Sequence, residues 1–300
     1  MLDYFLIFLA VGCFALQFIF TKIYSKSVEQ NFETALTMLF LTGIFGAALY
    51  FVINGFSLRF STPSVWLAIV FAVVMIPYYT LSFKALTLGS VAIYSTFMML
   101  GGMLLPFVYG TVWLHEPLSW GKAVGCALLC ACIVAQGVSQ KKAEDGKNKG
   151  NTLFFLLCLC IFIVNGLTGV IAKAHQTHPA AVDEVSFTVL SCLFTALLSL
   201  FLLGVRLCFK RQRALLSVKT VCKGKALGIV FLLGAAMHTG NFLILIAAAS
   251  IPASVQFPLI SGGTILLSAL LALLLFKEKP PKKEWFCILG AFLSSLFFAF

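Results

Sequence analysis

Charge is scarce in this sequence. Asp, Glu, Lys and Arg supply 10% of its 300 residues, where a soluble domain carries about 25%. A compact soluble core cannot absorb a chain that is 61% hydrophobic, because single cores stop growing near this length. The surplus must face lipid. Acidic residues are scarcer than basic ones, 10 against 21, and none lies in the middle third of an apolar run. That removes the embedded carboxylate on which a hydrophobic-cation/proton antiporter depends, and the paired Asp of an intramembrane enzyme. The ten cysteines contain no CxxC pair. Cys130/Cys132 and Cys158/Cys160 stand two apart, on different helix faces, so neither a metal site nor a disulfide is expected. There is no phosphate-binding Gly-Lys-Ser/Thr and no nucleophile elbow. His115-Glu116 is followed by Pro117 and lacks the second His of a zincin. No enzyme activity, cofactor or metal is expected. The first apolar stretch has Asp3 in place of a basic n-region, so it reads as a spanning helix rather than a signal peptide.

What the sequence does have is long apolar runs, rich in Phe. A spanning helix needs about 20 mostly apolar residues, and ten segments meet that description: Leu2–Ile23, Ala35–Ile53, Val65–Leu86, Val91–Leu114, Lys122–Val138, Leu153–Ala174, Val185–Val205, Ala226–Ala248, Ala253–Phe276 and Trp285–Phe300. The expected fold is an all-α membrane protein of ten transmembrane helices. The longest polar stretch, 140–151, reads as a basic linker between five-helix halves at 1–139 and 152–300. A second basic loop runs from Arg206 to Lys225. The net charge of +11 resides in these bridges, which suits loops facing anionic lipid and not nucleic acid.

Sliding the second half back by 162 positions lays Glu278 on Glu116, Gly263 on Gly101, Tyr79 against Asn241 and Tyr94 against Gln256. The first helices align at another offset, Lys22 on Lys173. An odd number of helices per half makes the second half enter the membrane from the opposite side, an inverted-topology repeat. Phe83-Lys84-Ala85-Leu86, Gly89-Ser90-Val91-Ala92 and Leu114-His115-Glu116-Pro117-Leu118-Ser119 followed by Gly125 stand in the first half. Phe276-Lys277-Glu278-Lys279-Pro280 and Gly290 stand in the second. In their order and duplication these resemble the EamA-type branch of the drug/metabolite transporter superfamily, over nearly the whole chain. The resemblance implies a ten-helix secondary transporter for small metabolites, often an exporter. It leaves the substrate unnamed.

Polar groups inside spanning helices are costly and are therefore site candidates. The candidate cavity residues are Gln17, Tyr78, Tyr79, Tyr94, Asn165, His238, Asn241 and Gln256. Ser and Thr are set aside as residues that bond within their own helices. The expected cavity is bounded by spanning segments one, three, four, six, eight and nine, and Tyr79, Asn165, His238, Asn241 and Gln256 converge on it. Lacking an embedded acid, it suits a neutral or zwitterionic solute moved by alternating access. Alternatives are a lipid or lipid-linked-sugar translocase on the same fold, and a scaffold or sensor that transports nothing. Gly101-Gly102 and Gly262-Gly263 permit close helix contact, and Gly121/Gly125 form a GxxxG for packing within the chain or in a homodimer. Lys and Arg crowd the odd-numbered loops, so the positive-inside rule predicts a multi-pass plasma-membrane protein with both termini outside the cytoplasm.

Overall fold

A computed structural model of the chain describes residues 2–115, 119–128, 130–132, 149–247, 253–278 and 282–297. Glu116 and most of the 140–151 linker lie outside the described residues. The described part is helical: α1 (Leu2–Ser27), α2 (Phe32–Ile53), α3 (Thr62–Leu88) and α4 (Val91–Val112). A shorter apolar α5 (Trp120–Cys132) follows. After it come α6 (Lys149–Gln176), α7 (Glu184–Phe209), α8 (Arg211–Val221), α9 (Gly224–Ala247), α10 (Ala253–Phe276) and α11 (Lys282–Phe297). Eight of these, α1–α4, α6, α7, α9 and α10, contain spans long and apolar enough to cross a membrane. The chain is a multi-pass, all-α membrane protein. The Arg206–Lys225 segment, read from the sequence as a loop, contains α8. Its buried residues Ala214, Ser217 and Val221 recur at helical spacing.

The helix starts are written locally. Asn31 and Thr34 form a reciprocal capping box at α2, with the Thr34 amide donating to Asn31 Oδ1 at 2.8 Å. Ser61 caps α3 and Ser90 caps α4. At α7 the Ser186 amide donates to Asp183 Oδ1 at 2.8 Å. Such caps satisfy amides that the first turn leaves without partners. Burial of the Asp183 carboxyl opposes its ionisation, but the Ser186 amide and hydroxyl hold its pKa below the usual carboxylate value.

Lipid tails are as apolar as Leu, so helix association in a membrane relies on close packing by small residues. The buried positions include Ala10, Ala35, Ala68, Ala92, Ala196, Ala247, Ala269 and Ala291, while Phe8, Phe201, Phe231 and Leu274 are exposed to the surroundings. A Cβ on Gly101 would meet the Phe162 Cα at 2.8 Å, and one on Gly166 would meet the Gly101 carbonyl at 2.7 Å. Glycine at the α4–α6 crossing therefore sets the approach of the two backbones. The main pairings are α1 with α9 and α10, α6 with α3 and α4, α2 with α7 and α9, α3 with α7, and α4 with α10. In addition, α3 packs on α1 and α2. Among the described residues no comparable packing joins α9 to α6 or α7.

One end of the bundle is closed by ion pairs. Lys22 at the end of α1 pairs with Glu278, and its ammonium also donates to the Gly89 carbonyl at 3.1 Å. The other Glu278 oxygen accepts from the Val91 amide at 3.0 Å, which joins α1, α10 and the α3–α4 turn. The side chains of Lys22 and Glu278 are 5% and 15% exposed. Beside this joint, Glu33 in the first turn of α2 takes two donations from Arg206 near the end of α7, the Nε one at 2.7 Å. Arg213 of α8 reaches Glu29 at 3.5 Å. This end also carries Lys26, Lys84, Lys210, Arg211, Lys219, Lys223, Lys225 and Lys277. At the opposite end lie Arg59, Lys122 and Lys173, with exposed Trp66, Trp113 and Trp120. Such aromatics sit favourably at a membrane–water boundary.

Candidate functional site

A cavity of ≈ 460 Å³ occupies the half of the bundle away from the ion-paired end. It runs from Leu39, Thr42 and Tyr79, midway along α2 and α3, to exposed Gln176 and Glu184 at the rim. Its wall is built by α2, α3, α6, α7, α9 and the start of α10.

The deepest polar feature depends on a glycine. Gly46 of α2 faces the His238 ring of α9, and any Cβ there would collide with it. The missing side chain lets His238 Nε2 donate to the Thr42 carbonyl at 3.0 Å. A backbone carbonyl only accepts, so Nε2 carries the proton. Tyr50 donates to the His238 carbonyl at 2.9 Å and stands edge-on to the imidazole. On the facing wall Tyr79 donates to Met237 Sδ at 2.9 Å. Asn241 donates to the Met237 carbonyl at 2.8 Å, and Gln256 to the Ile244 carbonyl at 2.6 Å. Both amides leave their side-chain oxygens as acceptors.

A second polar wall comes from α6 and α7. His175 stacks on Phe187 with centroids 3.8 Å apart and places Nε2 3.0 Å from Ser64 Oγ. That hydroxyl accepts from the Val182 amide at 3.1 Å and from Ser61 at 2.8 Å, so its own proton goes to Nε2 and the ring proton sits on Nδ1. His175 Nδ1 and Ser191 Oγ are buried with no hydrogen-bond partner. Unsatisfied buried polar groups are rare and costly, and both belong to residues lining the cavity. Among the described residues no Lys or Arg lines it, and the one carboxylate is Glu184 at the rim.

Four sequence candidates line this cavity: Tyr79, His238, Asn241 and Gln256. Four do not. Gln17 is buried in α1, where its carbonyl accepts from Thr21 at 2.7 Å. Tyr78 donates to Met98 Sδ at 3.0 Å, Tyr94 to Ser82 at 2.9 Å, and Asn165 to the Met98 carbonyl at 2.7 Å. Neighbouring Tyr78 and Tyr79 are about 100° apart around α3, so one can face the cavity only if the other turns away. Helices α1 and α4, expected in the wall, are absent from it, and α2 and α7 take their place. Sequence reasoning misses Thr42, Ser191 and Thr195 because it assigns hydroxyls to their own helices. Thr195 does donate to the Ser191 carbonyl at 2.7 Å, but Ser191 Oγ has no such bond. It misses His175 because that residue lies at a helix end.

No protein-family model matches this sequence, and no curated protein matches it either. The fold does have a counterpart. A solved structure described as the crystal structure of a protein aligns over 99% of this chain and 96% of its own, with a TM-score of 0.53 at 16% identity. At that identity the likeness concerns the fold alone.

Proposed function

We propose that this chain is a ten-helix secondary transporter of the drug/metabolite type, two inverted five-helix halves that carry a small neutral or zwitterionic metabolite by alternating access. The observation that carries the reading is an asymmetry in the packing. Exchanging α1 with α6, α2 with α7, α3 with α9 and α4 with α10 turns the α1–α9 contact into α6–α3 and α1–α10 into α6–α4. It turns α2–α9 into α7–α3 and leaves α2–α7 and α4–α10 unchanged. An in-plane two-fold between inverted repeats acts in this way. The contacts of α3 with α1 and α2 break the pattern: their counterparts would join α9 to α6 and α7, where the described residues show no comparable packing. The cavity is lined by α6, α7 and α9 on that side. One end is drawn together where its inverted counterpart is parted, which is the arrangement alternating access requires.

Two further observations support it. His115 and Lys277 occupy equivalent places in the two Glu-bearing turns, and both have φ of 54°, a conformation uncommon outside glycine. Among the described residues the lining offers aromatic rings, amides, imidazoles and hydroxyls, with no Lys or Arg to hold an anionic solute. With the ion-paired, basic end in the cytoplasm, both termini and the open cavity face outward, and export is the direction the resemblance suggests. The test is uptake and efflux of a metabolite panel in proteoliposomes, with Asn241→Ala and Gln256→Ala as partners. Saturable transport of a neutral or zwitterionic solute, weakened by these changes, is expected. A purified, folded protein that moves nothing in the panel and binds nothing in it overturns the proposal.

A further inference from the structure

The α7–α8 corner has a chemistry that the cavity does not use. Helix α7 runs 26 residues to Phe209, about 39 Å, which exceeds a hydrocarbon core of about 30 Å. Its last turn therefore stands in the headgroup layer. Lys210 both closes α7 and opens α8, and Cys222 and Lys223 alone separate α8 from α9. With both ends tied to spanning helices, α8 is held at that depth. It turns Ala214, Ser217 and Val221 inward. Ser217 meets Asn31 Nδ2 at 3.1 Å, at the α1–α2 turn. Outward it presents Leu215, Leu216 and Lys219, with Arg211 and Arg213 on its flanks. Phe209 is 82% exposed and Leu216 62%, although this end of the molecule is otherwise strongly basic. From Lys210 to Lys225 there are six basic residues and no acidic one.

We infer that α8 is an in-plane amphipathic helix that binds anionic phospholipid, with Phe209, Leu215 and Leu216 set among the upper acyl chains and Lys210, Arg211 and Lys219 on the phosphates. Apolar side chains ringed by cations at interfacial depth match a surface that is apolar below and negative above. A soluble acidic protein would match the charges but would leave Phe209 and Leu216 without lipid.

The test uses the full-length protein, Cys-depleted, with Leu216→Cys carrying an environment-sensitive fluorophore. It is reconstituted into phosphatidylcholine vesicles with or without phosphatidylglycerol. Spin-labelled phosphatidylcholine, spin-labelled phosphatidylglycerol and aqueous iodide serve as quenchers. Quenching by lipid, with iodide excluded and phosphatidylglycerol preferred, is the expected result. Each basic residue contributes about a fivefold preference at an anionic surface. The variant Lys210→Gln/Arg211→Gln/Lys219→Gln should therefore lose up to about two orders of magnitude of that preference. Iodide quenching without lipid quenching overturns the inference, as does an undiminished preference in the triple variant. Should that variant misfold, salt titration of the labelled parent decides. A preference that falls with ionic strength supports the inference, and a salt-independent one overturns it.

Discussion

Consider Glu278→Ala. In the structure this carboxylate holds the Lys22 ammonium and the Val91 amide together. Truncation leaves Lys22, whose side chain is 5% exposed, as a cation without its counter-charge. Removing one partner of a buried pair costs about 3–5 kcal/mol, and the stranded amide adds about 1–3 kcal/mol. Both penalties fall on the closed arrangement, because once this end parts water reaches Lys22 and Val91. Part of the cost is recovered by local hydration and by the Gly89 carbonyl that Lys22 keeps. A net shift of about 3 kcal/mol toward the parted state, roughly a hundredfold in population, is the expected size. Ser95 of α4 reports it. It is fully buried behind the joint, 2.7 Å from Ser268 of α10. In a Cys-depleted background, Ser95→Cys should resist a membrane-impermeant maleimide applied to inside-out vesicles. Adding Glu278→Ala should accelerate labelling by up to about a hundredfold. The double change Lys22→Met/Glu278→Ala, which strands no charge, should fall between the two. Equal labelling rates with and without the carboxylate, in protein of unchanged helicity, would refute the reasoning.

Other outcomes follow from the same geometry. Glu278→Gln leaves substrate binding largely intact beyond the change that the shifted population itself imposes, since the residue is not part of the cavity wall; abolished binding with an intact fold would contradict that placement. Gly46→Ala pushes His238 off the Thr42 carbonyl and costs about 1–3 kcal/mol through overpacking, read as a lower midpoint in thermal unfolding, while Gly12→Ala, with open space around it, does not. Asp183→Ala removes the α7 cap and costs about 1 kcal/mol at neutral pH. The Asp183 pKa is lowered on folding, so this contribution is complete above the unfolded value of about 3.9 and fades as pH falls through the lower folded value. Parent and variant melting curves should then converge in acid. Single cysteines at Gln140 and Gln212 in intact cells should escape an impermeant reagent until the membrane is opened, and labelling of both from outside would reverse the orientation.

Spans were legible because an apolar run of that length has almost no stable place except across a bilayer, and eight of the sequence segments coincide with helices long and apolar enough to cross one. Helix α8 is not legible because its two outward leucines, Leu215 and Leu216, stand among cations. Half the candidate wall was legible for a related reason. An amide or imidazole at mid-helix is costly enough to be informative, as at His238, Asn241 and Gln256. A hydroxyl is not, and Thr42 and Ser191 gave no such signal. The repeat offset sets Tyr94 against Gln256 and predicts one cavity for both. The inverted repeat proposed above would put equivalent residues at opposite ends of the membrane, and the structure has Gln256 on the cavity wall and Tyr94 near the ion-paired end. Only pairs close to mid-membrane, such as Tyr79 and Asn241, can share one chamber.

The short links at either end of α8 have a mechanical meaning. An 11-residue helix is a rigid strut of about 16 Å, joined to α7 through a single shared residue and to α9 through two. The feet of α7 and α9 are thus held at a fixed spacing. The two helices can tilt about the strut as a shear frame tilts about its base, widening or narrowing at the far rim where Glu184 stands, but they cannot splay at the foot. Any parting of that end must run instead along the seam of α1, α4 and α10, where Lys22, Val91 and Glu278 meet and, among the described residues, no such strut spans them.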